Sequence, residues 1–166
     1  VDVLVFDMQD VGVRFYTYIS TMQLVMEAAA EYGRQVVILD RPNPNGSYIA
    51  GPIMEPEHVS FVGMAPIPVV HGLTIAELAL MINGELWLSN GVFLDEGDLK
   101  VVKVPEYSHS DSYSLPVAPS PNLQTDESVI HYPSLGLFES TTISVGRGTD
   151  TPFEAVSYTH LRAHET

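Results

Sequence analysis

Two short apolar runs on either side of a helical stretch place the strongest constraint on the fold of this chain. Residues 2–6 and 35–39 are nearly continuous apolar segments, the pattern of strands buried in a parallel sheet. Between them, residues 17–32 carry apolar side chains at helical spacing, and Gly33 suits the end of that helix. A strand, a helix and a second strand in this order form a βαβ unit with a right-handed crossover. The sequence therefore predicts an α/β fold.

The remaining segments extend this pattern. Thr74 and Glu77 have capping-box spacing, which predicts the start of a helix. Residues 47–72 and 105–122 are rich in turn-forming residues and predict long ordered loops. The other predicted elements are a helix at 75–86, a strand at 99–104, a short helix at 126–131 and short strands at 136–138 and 142–145.

Composition excludes several functional classes. The formal net charge of -14 argues against nucleic-acid binding and against binding to anionic membrane surfaces. The absence of cysteine excludes disulfides, thiolate metal sites and cysteine nucleophiles within this chain. No apolar run approaches the ~20 residues of a membrane span, so we expect no transmembrane segment.

A polar cluster follows the first predicted strand. It contains Asp7, Gln9, Asp10, Arg14, Tyr16 and Tyr18. Open α/β sheets bind ligands at the carboxyl ends of their strands, and carboxylates there can act as acid or base, bind sugar hydroxyls or hold a metal. Alternatively, Asp10 caps the next helix and Arg14 forms a structural ion pair. For the cluster as a whole, we favour a functional role.

A second polar cluster, Asp40, Arg41, Asn43 and Asn45, follows the second predicted strand. Neighbouring parallel strands would place it beside the first cluster. The guanidinium of Arg41 offers a planar fork of donors, and the two Asn amides suit hydroxyl and amide groups. Alternatively, these residues only build turns.

Further candidates lie in the loops. Glu55, near Glu57 and His58, lacks the spacing of known histidine–glutamate metal motifs, so we expect no metal site. His71 is either a donor to a sugar or a buried, hydrogen-bonded histidine.

The C-terminal part adds Asn122, Glu139 and Arg147. Arg147 can bind a carboxylate with two hydrogen bonds or pair with a neighbouring acid. The Gly-Arg-Gly-Thr segment at 146–149 is neither a phosphate-binding loop nor a dinucleotide fingerprint. We therefore expect no nucleotide and no other cofactor.

Five motifs, taken in order, resemble the exo-β-N-acetylmuramidases over residues 1–155. They are DMQDVGVRFYTY at 7–18, LDRPNPNG at 39–46, HGLT at 71–74, PSPN at 119–122 and GRGT at 146–149. Each tetrapeptide is weak alone, whereas the first two motifs in order with the rest are specific.

This resemblance implies a Rossmann-like parallel-sheet catalytic domain, here N-terminally truncated, at residues 1–122 and the start of a smaller α+β auxiliary domain at 123–155. It implies hydrolysis that releases N-acetylmuramic acid from the non-reducing ends of peptidoglycan fragments, in the periplasm or outside the cell. The family ascribes a catalytic Glu to an upstream Glu-His-Gly segment that this sequence lacks. We therefore expect an internal fragment that is inactive alone.

Glycosidases usually need two carboxyl groups, and the resemblance leaves the second to be found in this chain. The candidates are Asp7, Asp10, Asp40, Glu55 and Glu139, and Asp10 ranks first because it lies in the polar loop beyond the first strand. Arg14, Arg41 or Arg147 would bind the lactyl carboxylate of the sugar. The remaining expected substrate contacts are Gln9, Tyr16, Asp40, Asn43, Asn45, Glu55, His71, Asn122 and Glu139.

Residues 156–166 resemble translated sequencing-adapter read-through. We exclude them from the functional argument, together with the helical spacing of His160 and His164, which would otherwise suggest a metal site.

Two other functional classes stay open. A non-catalytic carbohydrate-binding or sensor module would keep the Asn, Tyr and Arg contacts without a working carboxyl pair. A nucleotide-binding domain is a weaker alternative, because it predicts a glycine-rich turn after the first strand.

Overall fold

A three-stranded parallel sheet forms the centre of the first structural unit, Val1–Tyr113, in the computed structural model, which describes residues 1–158. The strands β1 (Val3–Phe6), β2 (Gln35–Leu39) and β3 (Leu99–Val102) lie in that order, with Val5 beside Val37 and Val37 beside Lys100. This parallel sheet with its helices confirms the predicted α/β class. The α-helices of the unit are α1 (Tyr18–Glu31) and α2 (Ile75–Gly84).

One face of the sheet carries the core of this unit. Ile38 of β2 belongs to a single buried cluster that also contains Met22 and Met26 of α1 and Leu78 and Ile82 of α2. These helical residues recur every three or four positions, so each helix turns one apolar stripe towards the sheet. Both crossover helices therefore cover the same face.

The opposite face of the sheet is open within residues 1–158. Val5 of β1 is 62% exposed, whereas Phe6, which points to the core face, is 5% exposed. Val3 and Val102 are also exposed. The prediction that residues 2–6 are buried throughout is therefore wrong, because β1 lies at the edge of the described sheet and only one of its faces is covered.

The second structural unit begins at Ser114. Its helix α3 (Asp126–Leu135) is longer than predicted and continues into a 3₁₀ helix at Gly136–Ser140. The strand predicted at 136–138 is wrong, because Gly136 keeps helical angles (φ -59°, ψ -25°) and extends the helical turn. The strand β4 (Ile143–Ser144) pairs antiparallel with β5 (Ser157–Tyr158). The predicted domain boundary at 122/123 stays a prediction.

Among residues 1–158, none of the helices is long and apolar enough to cross a bilayer. His160 and His164 lie outside the described residues.

Candidate active site at the carboxyl edge of the sheet

The two polar clusters meet at the carboxyl edge of the sheet, as the parallel strand order predicts. Asp7 follows β1 and Arg41 follows β2. The Arg41 Nη2 lies 2.6 Å from Asp7 Oδ1, and Arg41 Nε donates a hydrogen bond of 2.8 Å to the same oxygen. The side chains are 40% (Arg41) and 47% (Asp7) exposed. This carboxylate–guanidinium pair therefore faces solvent at the edge where α/β sheets bind ligands.

Gln9 connects the loops that carry this pair. Its Nε2 donates to the carbonyl of Asp10 at 2.7 Å and to that of Pro42 at 2.9 Å. Tyr16 lies further along the first loop, where its ring packs edge-to-face on that of Tyr18, with centroids 4.9 Å apart. Gln9 thus has a bracing role in this structure.

Asn43 and Asn45 are buried and hold the same loops together from within. Asn43 Nδ2 donates to the carbonyl of Leu73 at 2.8 Å, and Asn43 Oδ1 accepts from Asn45 N at 2.8 Å. Asn45 Nδ2 donates to the carbonyl of Val11 at 2.9 Å. Their amide groups therefore form hydrogen bonds with buried backbone groups. This agrees better with the alternative that these residues build turns than with contacts to a sugar.

Gly12 makes this arrangement possible. Its φ is +77°, and a Cβ added there would lie 2.2 Å from Asn43 Oδ1. The side chain of Asn43 thus packs directly on the Gly12 backbone, where only glycine combines the left-handed conformation with the close approach.

Asp10 and His71 form a second buried contact, with side chains 5% and 0% exposed. The Asp10 Oδ2 accepts from Gly12 N at 2.7 Å and lies 3.4 Å from His71 Nε2. The backbone N–H of Leu73 donates to His71 Nδ1 at 3.2 Å, which places the ring proton on Nε2, facing Asp10. Asp10 does not cap α1, since the N-cap there is Thr17.

Arg14 is buried and fixes the long loop at 47–72. Its Nη1 donates to the carbonyls of Pro52, at 2.8 Å, and Ile67, at 2.5 Å. Burial lowers the pKa of the guanidinium. No carboxylate pairs with Arg14 among residues 1–158. The guanidinium is therefore held by backbone carbonyls and not by the structural ion pair that was the alternative prediction.

Asp40 anchors the start of α2. Its Oδ1 accepts from Ala76 N and its Oδ2 from Thr74 Oγ1, both at 3.0 Å. The predicted capping box is confirmed, because Glu77 N donates to Thr74 Oγ1 at 3.3 Å and Thr74 N to Glu77 Oε2 at 2.9 Å. An acidic residue at this position also suits the positive end of the helix dipole.

A cleft of about 250 Å³ opens beside Asp40. The sequence did not predict the other polar residues of this cleft. Glu77 was predicted only as part of a helix cap, and Lys103, Tyr107 and His109 lie on or near an irregular loop without diagnostic spacing. The complete lining is Asp40, Thr74, Ala76, Glu77, Leu80, Val101, Lys103, Val104, Tyr107 and His109.

Two contacts organise this cleft. His109 Nε2 lies 3.0 Å from Glu77 Oε2, and the Tyr107 hydroxyl donates to the carbonyl of Asn43 at 3.1 Å. Burial by itself would raise the pKa of Glu77, but hydrogen bonds from Thr74 and His109 outweigh it and lower the pKa. Burial raises the pKa of Tyr107. At neutral pH the cleft therefore holds an ionised Glu77 and a neutral Tyr107.

Glu55 is exposed, and its ion-pair contact is with His58 in the same loop. Its Oε2 is 3.6 Å from His58 Nδ1, and ligand atoms of Glu55, Glu57 and His58 lie within 4.8 Å of one another. All three are exposed, as surface acids commonly are, so this grouping does not by itself indicate a metal.

The predicted residues of the second unit include an ion pair. Arg147 Nε lies 2.8 Å from Glu139 Oε1, and the guanidinium carbon is 5.7 Å from the centre of the Phe153 ring. Asn122 N donates to Ser120 Oγ at 3.3 Å in a turn. Of the two roles predicted for Arg147, the structure shows the second, an ion pair with a neighbouring acid.

Comparison with known proteins identifies the family. The family models described as "Exo-beta-N-acetylmuramidase NamZ, N-terminal" and "C-terminal" match residues 1–127 and 130–166. The chain belongs to the NamZ family. The second match extends to residue 166, so it does not support the interpretation of residues 156–166 as sequencing-adapter read-through.

Individual members of the NamZ family agree with this assignment. The peptidoglycan beta-N-acetylmuramidase NamZ of Bacillus subtilis (strain 168) is 51% identical over 99% of this chain. Crystal structures of two DUF1343 family proteins from Bacteroides fragilis NCTC 9343 match with TM-scores of 0.91 and 0.85, at 47% and 42% identity over 99% and 93% of this chain. The chain spans 39% of the Bacillus protein and 46% and 41% of the two crystallised chains.

Proposed function

We propose that this chain is part of an exo-β-N-acetylmuramidase that releases N-acetylmuramic acid from the non-reducing ends of peptidoglycan fragments. The observation that carries the proposal is the 51% identity to the Bacillus muramidase, which extends along 99% of the chain. The solvent-facing pair of Asp7 and Arg41 at the carboxyl edge of the sheet supports it, because this edge is where such folds bind ligands.

Asp7 is better placed than Asp10 for direct contact with a sugar. Its side chain is open to solvent, whereas that of Asp10 is buried against Gly12 and His71. Glycoside hydrolysis needs carboxyl groups that reach the scissile bond. We therefore assign Asp7 to the reaction centre, and Asp10 to positioning the loop that carries it.

Arg41 is the best placed of the three arginines to bind the lactyl carboxylate. Arg14 is buried and already donates to two carbonyls, and Arg147 is paired with Glu139. Arg41 binds Asp7 through Nε and Nη2, and a guanidinium carries five N–H donors in all. An arriving carboxylate can therefore use the remaining donors in a charge-assisted contact.

The direct test uses the full-length protein with a chromogenic N-acetylmuramide and with a muramic-acid-terminated disaccharide. We expect free N-acetylmuramic acid, detected by mass spectrometry, and a loss of kcat of about 10²-fold or more in Asp7→Asn. The matched control is Asp2→Asn, which removes a carboxylate from the Asp2–Arg34 pair and should leave turnover unchanged.

The alternative, a non-catalytic carbohydrate-binding module, predicts a different result. Such a protein would bind the disaccharide without releasing any sugar, and Asp7→Asn would change affinity alone. Release of N-acetylmuramic acid at wild-type rates by Asp7→Asn would leave the family activity intact but refute the assignment of Asp7.

The proposed substrate also suggests where the protein works. Peptidoglycan lies outside the cytoplasmic membrane, so we propose a periplasmic or extracellular location. Cell fractionation of the source organism with an antibody to the full-length protein tests this, and recovery in the cytoplasmic fraction alone would contradict it.

A further inference from the structure

The cleft beside Asp40 is adjacent to the Asp7–Arg41 pair along the same edge of the sheet. Asp40 and Arg41 are neighbours after β2, and the Asp40 side chain bonds to the start of α2 whereas that of Arg41 bonds to Asp7. Lys103, just after β3, lines the cleft as well. The Asp7–Arg41 pair and the cleft therefore both lie at the carboxyl ends of the three strands.

The lining of the cleft combines an apolar floor with a polar rim. Leu80, Val101 and Val104 supply aliphatic surface, whereas Lys103 and His109 supply polar groups. The volume of about 250 Å³ lies just below the ~300–1,000 Å³ of sites for drug-sized ligands, so it suits one small unit. A pyranose ring has the matching character, since its C–H face is apolar and its hydroxyl rim is polar.

The acids of the cleft already have partners. Both oxygens of Asp40 accept hydrogen bonds from the start of α2, and the Glu77 carboxylate is held by Thr74 and His109. Lys103 has no ion pair among residues 1–158. This leaves the ammonium of Lys103 as a donor for acceptor oxygens, such as those of hydroxyl or acetamido groups, and disfavours a cation in the cleft.

The walls of the cleft are also held in place. The Tyr107 hydroxyl donates to the carbonyl of Asn43 and accepts from its N–H, and the Tyr107 and His109 rings pack edge-to-face with centroids 5.7 Å apart. Such bracing reduces the loss of conformational entropy when a ligand binds.

We propose that this cleft binds the second sugar of the substrate, the N-acetylhexosamine that leaves when the terminal muramic acid is cleaved. The inference rests on the proposed muramidase function, with the muramic acid itself at the Asp7–Arg41 pair. It assigns Lys103 to a contact with the leaving sugar, whereas His109, whose Nε2 is bonded to Glu77, supports the wall of the cleft.

The test compares two substrates of the full-length protein, a peptide-free disaccharide of N-acetylmuramic acid and N-acetylglucosamine and a chromogenic muramide whose leaving group is not a sugar. In Lys103→Met, we expect KM for the disaccharide to rise about 5- to 10-fold, the effect of losing one hydrogen bond. Turnover of the chromogenic muramide should stay within twofold of wild type. The matched control is Lys100→Met, because Lys100 lies on β3 in register with Val37 of the sheet and does not line the cleft.

Two outcomes would overturn the proposal: an unchanged KM for the disaccharide, or equal losses on both substrates. If the wild-type protein cleaves neither substrate, the proposed function fails and the cleft is tested by binding alone. Saturation-transfer NMR with N-acetylglucosamine should then show contact in wild type and Lys100→Met and a weaker signal in Lys103→Met. Absence of binding in wild type would refute the cleft assignment.

Discussion

His71 Nε2 lies 3.4 Å from Asp10 Oδ2 in the interior of the first unit, and each side chain comes from a different loop of the candidate site. Replacing Asp10 by Ala removes the carboxylate that accepts from Gly12 N and leaves this buried N–H without a partner. An unsatisfied buried polar group costs about 1–3 kcal/mol. We expect the denaturation midpoint of Asp10→Ala to fall accordingly, as measured by circular dichroism in urea.

Asp7→Ala is the control for this measurement, because its carboxylate faces solvent and its pair with Arg41 is exposed. Exposed pairs contribute ~0–1 kcal/mol, so this variant should unfold close to wild type. A larger loss of stability in Asp7→Ala than in Asp10→Ala would show that the buried contact is not what holds the loops.

Gly12→Ala tests the contact between Gly12 and Asn43. The substitution adds a Cβ at φ +77° and drives it to 2.2 Å from Asn43 Oδ1. Gly33→Ala is a matched control, since its φ is +58° and nothing lies within 4 Å of the added Cβ. The strain of a left-handed residue costs about 1–2 kcal/mol in both variants, and overpacking should add about 1–3 kcal/mol in Gly12→Ala alone. Equal melting temperatures for the two variants would contradict the close packing.

Glu77 gives the fold a specific dependence on pH. Its folded pKa is lowered below the ordinary value of 4.5, since the bonds from Thr74 and His109 outweigh the effect of burial. The stabilisation is therefore complete above pH 4.5 and is lost as the pH falls through the lowered folded pKa. Denaturation midpoints between pH 3 and pH 7 should fall less steeply with acid in Glu77→Gln than in wild type. The control is Glu96→Gln at an exposed position, for which the denaturation midpoint should change with pH as in wild type. Identical slopes of midpoint against pH in all three proteins would refute the role of Glu77.

Local patterns were enough to predict the elements of the first unit. The apolar spacing in α1, the continuous apolar run in β2 and the Thr74–Glu77 capping box each depend on neighbouring residues, and each was predicted close to its observed bounds. The burial of β1 was not predictable in this way. Val5 is as apolar as Phe6, and only the position of both helices on one face of the sheet leaves Val5 exposed.

The sequence was enough to predict which residues meet at the candidate site. It was not enough to predict which of them face a ligand and which bond to buried backbone. Parallel strand order brings Asp7 and Arg41 together, so their proximity follows from topology. Whether an amide such as that of Asn43 faces a ligand or a buried carbonyl depends on a contact with Leu73, 30 positions away in sequence. The cleft residues Tyr107 and His109 reach their positions through such distant contacts as well, and no local spacing marks them.

Arg41 should determine whether the enzyme distinguishes muramic acid from glucosamine, which lacks the lactyl carboxylate. A hydrogen bond to a charged group contributes about 1.5–3 kcal/mol, which corresponds to roughly 10- to 100-fold in kcat/KM. In the full-length protein, Arg41→Ala should lower kcat/KM for a chromogenic N-acetylmuramide by that factor and leave the rate with the matching N-acetylglucosaminide almost unchanged. Arg34→Ala is the matched control, because Arg34 pairs with Asp2 before the strands begin, at the opposite edge of the sheet from Arg41. If Arg41→Ala slows both substrates equally, Arg41 serves to orient Asp7, and the lactyl group is bound by another residue.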